Sequence, residues 1–85
     1  MIKETIIPYS LKKRIKKLPS NIGNKFYWCL DMLLKNENYP SLRNKEVEGV
    51  SNYGEFSITL NYRCVYRKEE NRVFLLEIGK HENVF

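Results

Sequence analysis

The feature that most constrains this chain is a run of three apolar-rich segments between Phe56 and Phe85, separated by turns so short that the segments must lie antiparallel. In Phe56, Ile58 and Leu60 apolar residues alternate with Ser57 and Thr59, the period-two pattern of a strand with one buried face. Tyr62, Cys64 and Tyr66 alternate in the same way with Arg63, Val65 and Arg67. Val73 to Ile78 is apolar except for Glu77, which predicts a strand covered on both faces. So little chain separates Leu60 from Arg63 that the first hairpin must be tight. Residues 68–72 form the second turn, with Asn71 suited to its left-handed position. Together these segments predict an antiparallel meander.

Upstream the period changes. Residues 2–7 read as a first strand ended by Pro8. Ser10 then suits an N-cap, with Leu11, Ile15 and Leu18 at helical spacing before Pro19 stops the helix. Ser20 suits the cap of a second helix, whose stripe of Ile22, Phe26, Cys29, Leu30, Leu33 and Leu34 runs through to Lys35. Tyr27 and Trp28 flank that stripe and read as core packing or a partner surface. Asn36 and Asn38 end the helix, and Pro40 blocks its return. Residues 46–50 read as a short strand and residues 51–54 as a turn into Phe56. The order β-α-α-β-β-β-β predicts an α+β domain: an N-terminal strand, a helical hairpin, then antiparallel strands forming one small sheet under the hairpin. With 85 residues, all of 1–85 is expected to be a single domain with a small core. A hydrophobic content of 42% argues against general disorder.

Charge narrows the partners. The formal net charge is +5, and residues 1–30 carry seven Lys or Arg against one acid, Glu4. A basic front half points to an anionic partner, nucleic acid first and an acidic protein second. Lys12, Lys13, Arg14, Lys16 and Lys17 fall on the polar face of the first helix, as either a solvated face or a phosphate-binding one. Cys29 and Cys64 occupy apolar positions and read as buried thiols in a reducing compartment. There is no apolar leader and no segment of membrane-spanning length, so a cytoplasmic protein without a membrane partner is expected. No metal-ligand cluster, phosphate-binding glycine loop or nucleophile triad is present, so no cofactor is expected and metal-independent chemistry is the default. Arg63 starts the middle strand of the meander, and the single histidine, His81, follows the last strand after a glycine. A fixed arginine can take a phosphate bidentately, and a nearby imidazole can move a proton near neutrality; together they could handle a phosphate.

Several of these residues also fit a known pattern. Pro40-Ser-Leu-Arg43, Val47-Glu-Gly49, Tyr62-Arg-Cys-Val-Tyr66 and Ile78-Gly-Lys-His81 followed by Val84-Phe85 together resemble the RelE/ParE superfamily of bacterial toxins. The ending from His81 to Phe85 looks most like the YafQ-like branch. The resemblance implies a type II toxin neutralised by a cognate antitoxin. It also implies a ribosome-dependent endoribonuclease that cleaves mRNA in the ribosomal A site and inhibits translation. On that pattern Arg63 would stabilise the phosphorane charge, His81 would be the acid or base, and Phe85 would stack on or orient a base. Arg43, Lys45, Ser57, Thr59, Arg67 and Lys80 are candidate substrate contacts. Lys12, Lys13, Lys16 and Lys17 are candidate contacts to ribosomal RNA. One departure stands out: lysines common on the strand before the Tyr-Arg strand are replaced, in this reading by Ser57 and Thr59. A ParE-like gyrase inhibitor, or a catalytically weak toxin-fold partner of an antitoxin, is the alternative.

Overall fold

Pro8 and Pro19 set the first helix boundaries, but from the other side. The computed structural model describes residues 2–46 and 52–80. Strand β1 (Glu4–Ile6) ends before Pro8, helix α1 (Tyr9–Lys16) follows it, and helix α2 (Ser20–Lys35) follows Pro19. Each proline is itself the N-cap. Its carbonyl accepts the first helical bonds, from Leu11 and Lys12 at Pro8 and from Ile22 and Gly23 at Pro19. Ser10 and Ser20 therefore lie inside the first turns, and neither helix has a side-chain cap. The proline ring holds φ near its fixed value while ψ stays extended, which aims the chain into the helix.

The helices bury Leu11 and Ile15 from α1 and Ile22, Phe26, Cys29, Leu30 and Leu33 from α2. Leu34, expected in the stripe, is 36% exposed, at the stripe's edge one residue past the fully buried Leu33. After α2 come a 3-10 turn (Pro40–Leu42), then β2 (Lys45–Glu46), β3 (Tyr53–Ser57), β4 (Tyr62–Glu69) and β5 (Arg72–Lys80). Of the short strand expected at 46–50, residues 47–50 lie outside the described residues.

The five strands form one sheet in the order β1-β5-β4-β3-β2. The pairs from β2 to β5 are antiparallel, as expected. The N-terminal strand adds a parallel edge, with Glu4 opposite Arg72 and Ile6 opposite Phe74, so the sheet is mixed. The turn before β5 starts that pairing, because the Asn71 carbonyl accepts from the backbone N–H groups of both Lys3 and Glu4. Glu70, not Asn71, takes the left-handed position there, at φ 55°.

Two strand boundaries differ from the alternation pattern. β3 begins at Tyr53 and ends at Ser57, while Ile58 to Asn61 make the turn. There the Thr59 hydroxyl accepts from the N–H groups of Asn61 and Tyr62, 3.3 and 3.2 Å away. On β5, Val65 faces Glu77 but Tyr66 faces Leu75, which leaves Leu76 as a bulge residue. The bulge lets Leu75 and Ile78 both reach the core although they are three residues apart. Leu76 is 43% exposed, so β5 is not covered on both faces.

The core face of the sheet carries Phe56, Cys64, Tyr66, Val73, Leu75 and Ile78. Phe26 and Leu33 from α2 and Leu42 from the 3-10 turn are fully buried with them. Each such side chain contributes about 1.5–3 kcal/mol of transfer free energy. Gly54 is required by a close approach: a Cβ there would stand 2.6 Å from the Tyr66 ring and 3.0 Å from the Lys45 carbonyl. The Tyr66 hydroxyl donates to the side-chain oxygen of Asn44, tying β4 to the loop before β2.

Candidate phosphate site on the sheet face opposite the core

Alternation along β4 puts Cys64 and Tyr66 in the core and turns Arg63, Val65 and Arg67 to the opposite face. Arg63 pairs across the ladder with Ser57 on β3 and Gly79 on β5. Gly79 adds no side chain beside it. Ser57, opposite in register, lies within reach of the guanidinium.

The Arg63 side chain is only 14% exposed. Its Nη1 donates to Ser57 Oγ at 2.8 Å and faces Glu55 Oε1 at 3.5 Å. Glu55 lies two residues before Ser57 on the same face of β3, and its side chain is 3% exposed. The same Oε1 meets Lys45 Nζ at 3.4 Å, since Lys45 is the register partner of Glu55 on β2. A carboxylate this buried requires cationic partners, and it has two. The outward residues of β3 beside Arg63 are thus Glu55 and Ser57, set by the ladder register; Thr59 lies past the strand, in the turn.

Of the other expected contacts, Arg67 shares the face of Arg63 but is held by Glu69 and lies over the Phe74 ring, 4.9 Å from its centroid. Lys80 pairs with Tyr62, so the pleat assigns it to the face away from Arg63. Arg43 leaves the 3-10 turn in the left-handed region, at φ 48°. It borders a cleft of about 260 Å³ with Lys25, Ser41, Ser57 and Thr59. Lys12, Lys13, Lys16 and Lys17 are all exposed along α1, whose Arg14 pairs with Glu77 on β5. His81 and Phe85 lie outside the described residues, as do Val47 and Gly49.

Two contributors were missed by sequence reading. Glu55 joins the strand beside Arg63 because β3 extends back to Tyr53, before the Phe56 start that its alternation suggested. Lys25 reaches the Arg43 cleft from α2, a juxtaposition no local pattern encodes; its Nζ also lies 3.9 Å from the Trp28 ring centroid. A larger cleft, about 450 Å³, lies at the Tyr66 end, bordered by the Lys68–Glu37 pair and away from Arg63.

Both cysteines are free and buried. Burial pushes the Cys29 thiol up to about 11 against a smaller opposing pull from Lys25, and burial pushes Cys64 higher still. Neither is poised as a nucleophile. Among the described residues no three His, Cys, Asp or Glu side chains converge to hold a metal ion, and no helix is long and apolar enough to cross a membrane.

No protein-family model matches the chain, and no curated protein matches it. Solved structures do. The E. coli DinJ–YafQ toxin–antitoxin complex contains a chain that matches with TM-score 0.78 at 13% identity, covering 100% of this chain and 99% of that one. The archaeal RelE–RelB complex from Pyrococcus horikoshii OT3 matches with TM-score 0.75 at 16% identity, over 94% of this chain and 96% of its own. A mutant of the E. coli toxin RelE in the free state matches with TM-score 0.74 at 21% identity, over 98% and 87%. The chain therefore has the RelE/YafQ toxin fold.

Proposed function

We propose that a chain with this fold and this strand arginine is the toxin of a type II toxin–antitoxin system, acting in the cytoplasm as a ribosome-dependent mRNA endoribonuclease. The observation that carries the reading is Arg63, held by Ser57 and Glu55 on the face of a RelE/YafQ-type sheet opposite Cys64 and Tyr66. In the proposed reaction the 2′-hydroxyl of one nucleotide attacks the adjacent phosphorus. The new O2′–P bond forms as the P–O5′ bond breaks, leaving a cyclic phosphate and a free 5′-hydroxyl. Arg63 neutralises the charge that grows on the phosphorane oxygens, an effect worth roughly 10²–10³ in rate for one well-placed donor. His81 is the proposed proton carrier and Phe85 the proposed base-stacking residue. The exposed lysines of α1 are proposed to grip ribosomal RNA, and an acidic antitoxin segment to neutralise the chain.

The test is to add purified protein to an in vitro translation reaction and map mRNA 5′ ends, beside Arg63→Ala and His81→Ala. Cuts at A-site codons that require ribosomes and vanish in both variants are expected. Uncut mRNA with unimpaired translation would overturn the reading. One observation favours the non-nucleolytic alternative: the buried Glu55 carboxylate offsets the charge of Arg63 where a second cation would have strengthened the site. If no cuts appear, inhibition of gyrase supercoiling separates the ParE-like inhibitor from an inert antitoxin partner.

A further inference from the structure

Arg63 carries an anomaly that its ion pair does not explain. Among the described residues, its Nε is the one buried side-chain nitrogen or oxygen without a hydrogen-bond partner. Native interiors satisfy nearly all such donors, and an exception in a candidate site calls for a missing acceptor. The rest of the guanidinium is not loose. Its Nη1 is engaged on one edge by Ser57 Oγ at 2.8 Å and Glu55 Oε1 at 3.5 Å. Glu55 is itself fixed by its buried position on β3 and by Lys45 Nζ at 3.4 Å on its other side. An arginine clamped at Nη1 has one remaining two-donor edge for a bidentate acceptor, formed by Nε and Nη2.

We infer that Glu55 is a positioning residue for phosphate binding: with Ser57 it holds Nη1 so that the Nε edge of Arg63 is presented to one phosphate oxyanion of the ligand. This rests on the reading of Arg63 as the phosphate-binding group and adds the part of the site that orients it. Glu55 faces Nη1 and not the Nε edge, so it acts through Arg63. The arrangement also gives the site a chemical preference. A carboxylate behind the arginine repels a second negative charge nearby, so the edge takes a single phosphodiester in preference to a cluster of anionic groups. Ser57 adds a neutral acceptor that fixes geometry without adding charge.

Nuclear magnetic resonance of the arginine side chains tests this in the whole protein, with inorganic phosphate as the probe. The Arg63 Nε–Hε signal is identified by its loss in Arg63→Lys. In the wild type it is expected as a separate, slowly exchanging line that moves downfield as phosphate is added. In Glu55→Ala it should broaden into the envelope of mobile arginines and lose the phosphate response. Glu55→Gln keeps the shape and an acceptor oxygen, and should retain the separate line. A Ser57→Ala variant, smaller in its structural effect, should weaken the response in the same direction. A wild-type Nε–Hε line that ignores phosphate would overturn the inference, as would a Glu55→Ala protein whose line and response match the wild type. Should Glu55→Ala fail to fold, the wild-type phosphate titration and the Ser57→Ala response still decide it. Because no ribosome or cleavage enters the measurement, a phosphate-responsive Arg63 in a protein that cuts no mRNA would refute the nuclease reading and leave this one standing.

Discussion

At the scale of single residues, burial decides what each group can do. Cys29 illustrates this: desolvation disfavours its thiolate, and Lys25 recovers only part of the loss. With the thiol pushed up to about 11, almost all of it is protonated at pH 8. Iodoacetamide should therefore label the folded protein slowly at pH 8, faster towards pH 11, and at once in denaturant. Rapid labelling of Cys29 in the native protein at pH 8 would show the thiol to be less buried than the fold implies. Arg63 is the opposite case, a mostly buried guanidinium whose Nη1 is met by Glu55 and Ser57. Its place on the strand was legible from alternation alone. Its partners were not, because local alternation showed neither that β3 extends back to Glu55 nor how it pairs with β4.

At the scale of elements, close approaches and strained turns are the points to probe. Gly54→Ala would drive a methyl group into the Tyr66 ring and against the Lys45 carbonyl, and the backbone contact cannot rotate away. A loss of roughly 1–3 kcal/mol is expected, seen as a lower urea midpoint with an unchanged slope. An unchanged midpoint would mean that β2 or Tyr66 yields easily. Arg43 is a different test, because its left-handed backbone carries a cost that glycine would not. Arg43→Gly should leave stability within about 1 kcal/mol, since relief of strain offsets added freedom in the unfolded chain. Arg43→Val should lose roughly 1–3 kcal/mol, because a β-branched side chain suits that region worst. Equal melting temperatures for the two variants would count against a strained loop. The prolines teach the same lesson in reverse. Read as the ends of the first strand and the first helix, Pro8 and Pro19 are N-caps, because an extended ψ after a fixed φ launches a helix as readily as it ends the preceding segment.

At the scale of the molecule, one core and one charge imbalance set the behaviour. Phe26 is fully buried where α2 crosses the sheet. Phe26→Ala should cost roughly 3–5 kcal/mol, a large share of the total stability of a domain this small, and should lower expression as well as the melting temperature. A fully stable Phe26→Ala protein would place the core elsewhere. The net charge of +5 and the exposed α1 lysines predict polyanion binding that weakens with salt. Replacing Lys12, Lys13, Lys16 and Lys17 with Gln should flatten that salt dependence while leaving the fold unchanged. A salt slope equal to that of the wild type would assign the charge to solubility alone.

Local period and turn chemistry act within a few residues. They therefore determined the element order, the two helix stripes, the meander, the buried thiols and the outward face of Arg63 from sequence alone. Only tertiary pairing decided the rest. β1 became a parallel edge because the turn before β5 offered it the Asn71 carbonyl. A one-residue bulge at Leu76 turned an apolar run into a strand with one buried and one open face. The ladder register placed Glu55 and Ser57 beside Arg63 and left Thr59 to cap a turn. A side chain changes face with every one-residue shift in strand register, so the partners of a strand arginine are set by where the strands pair.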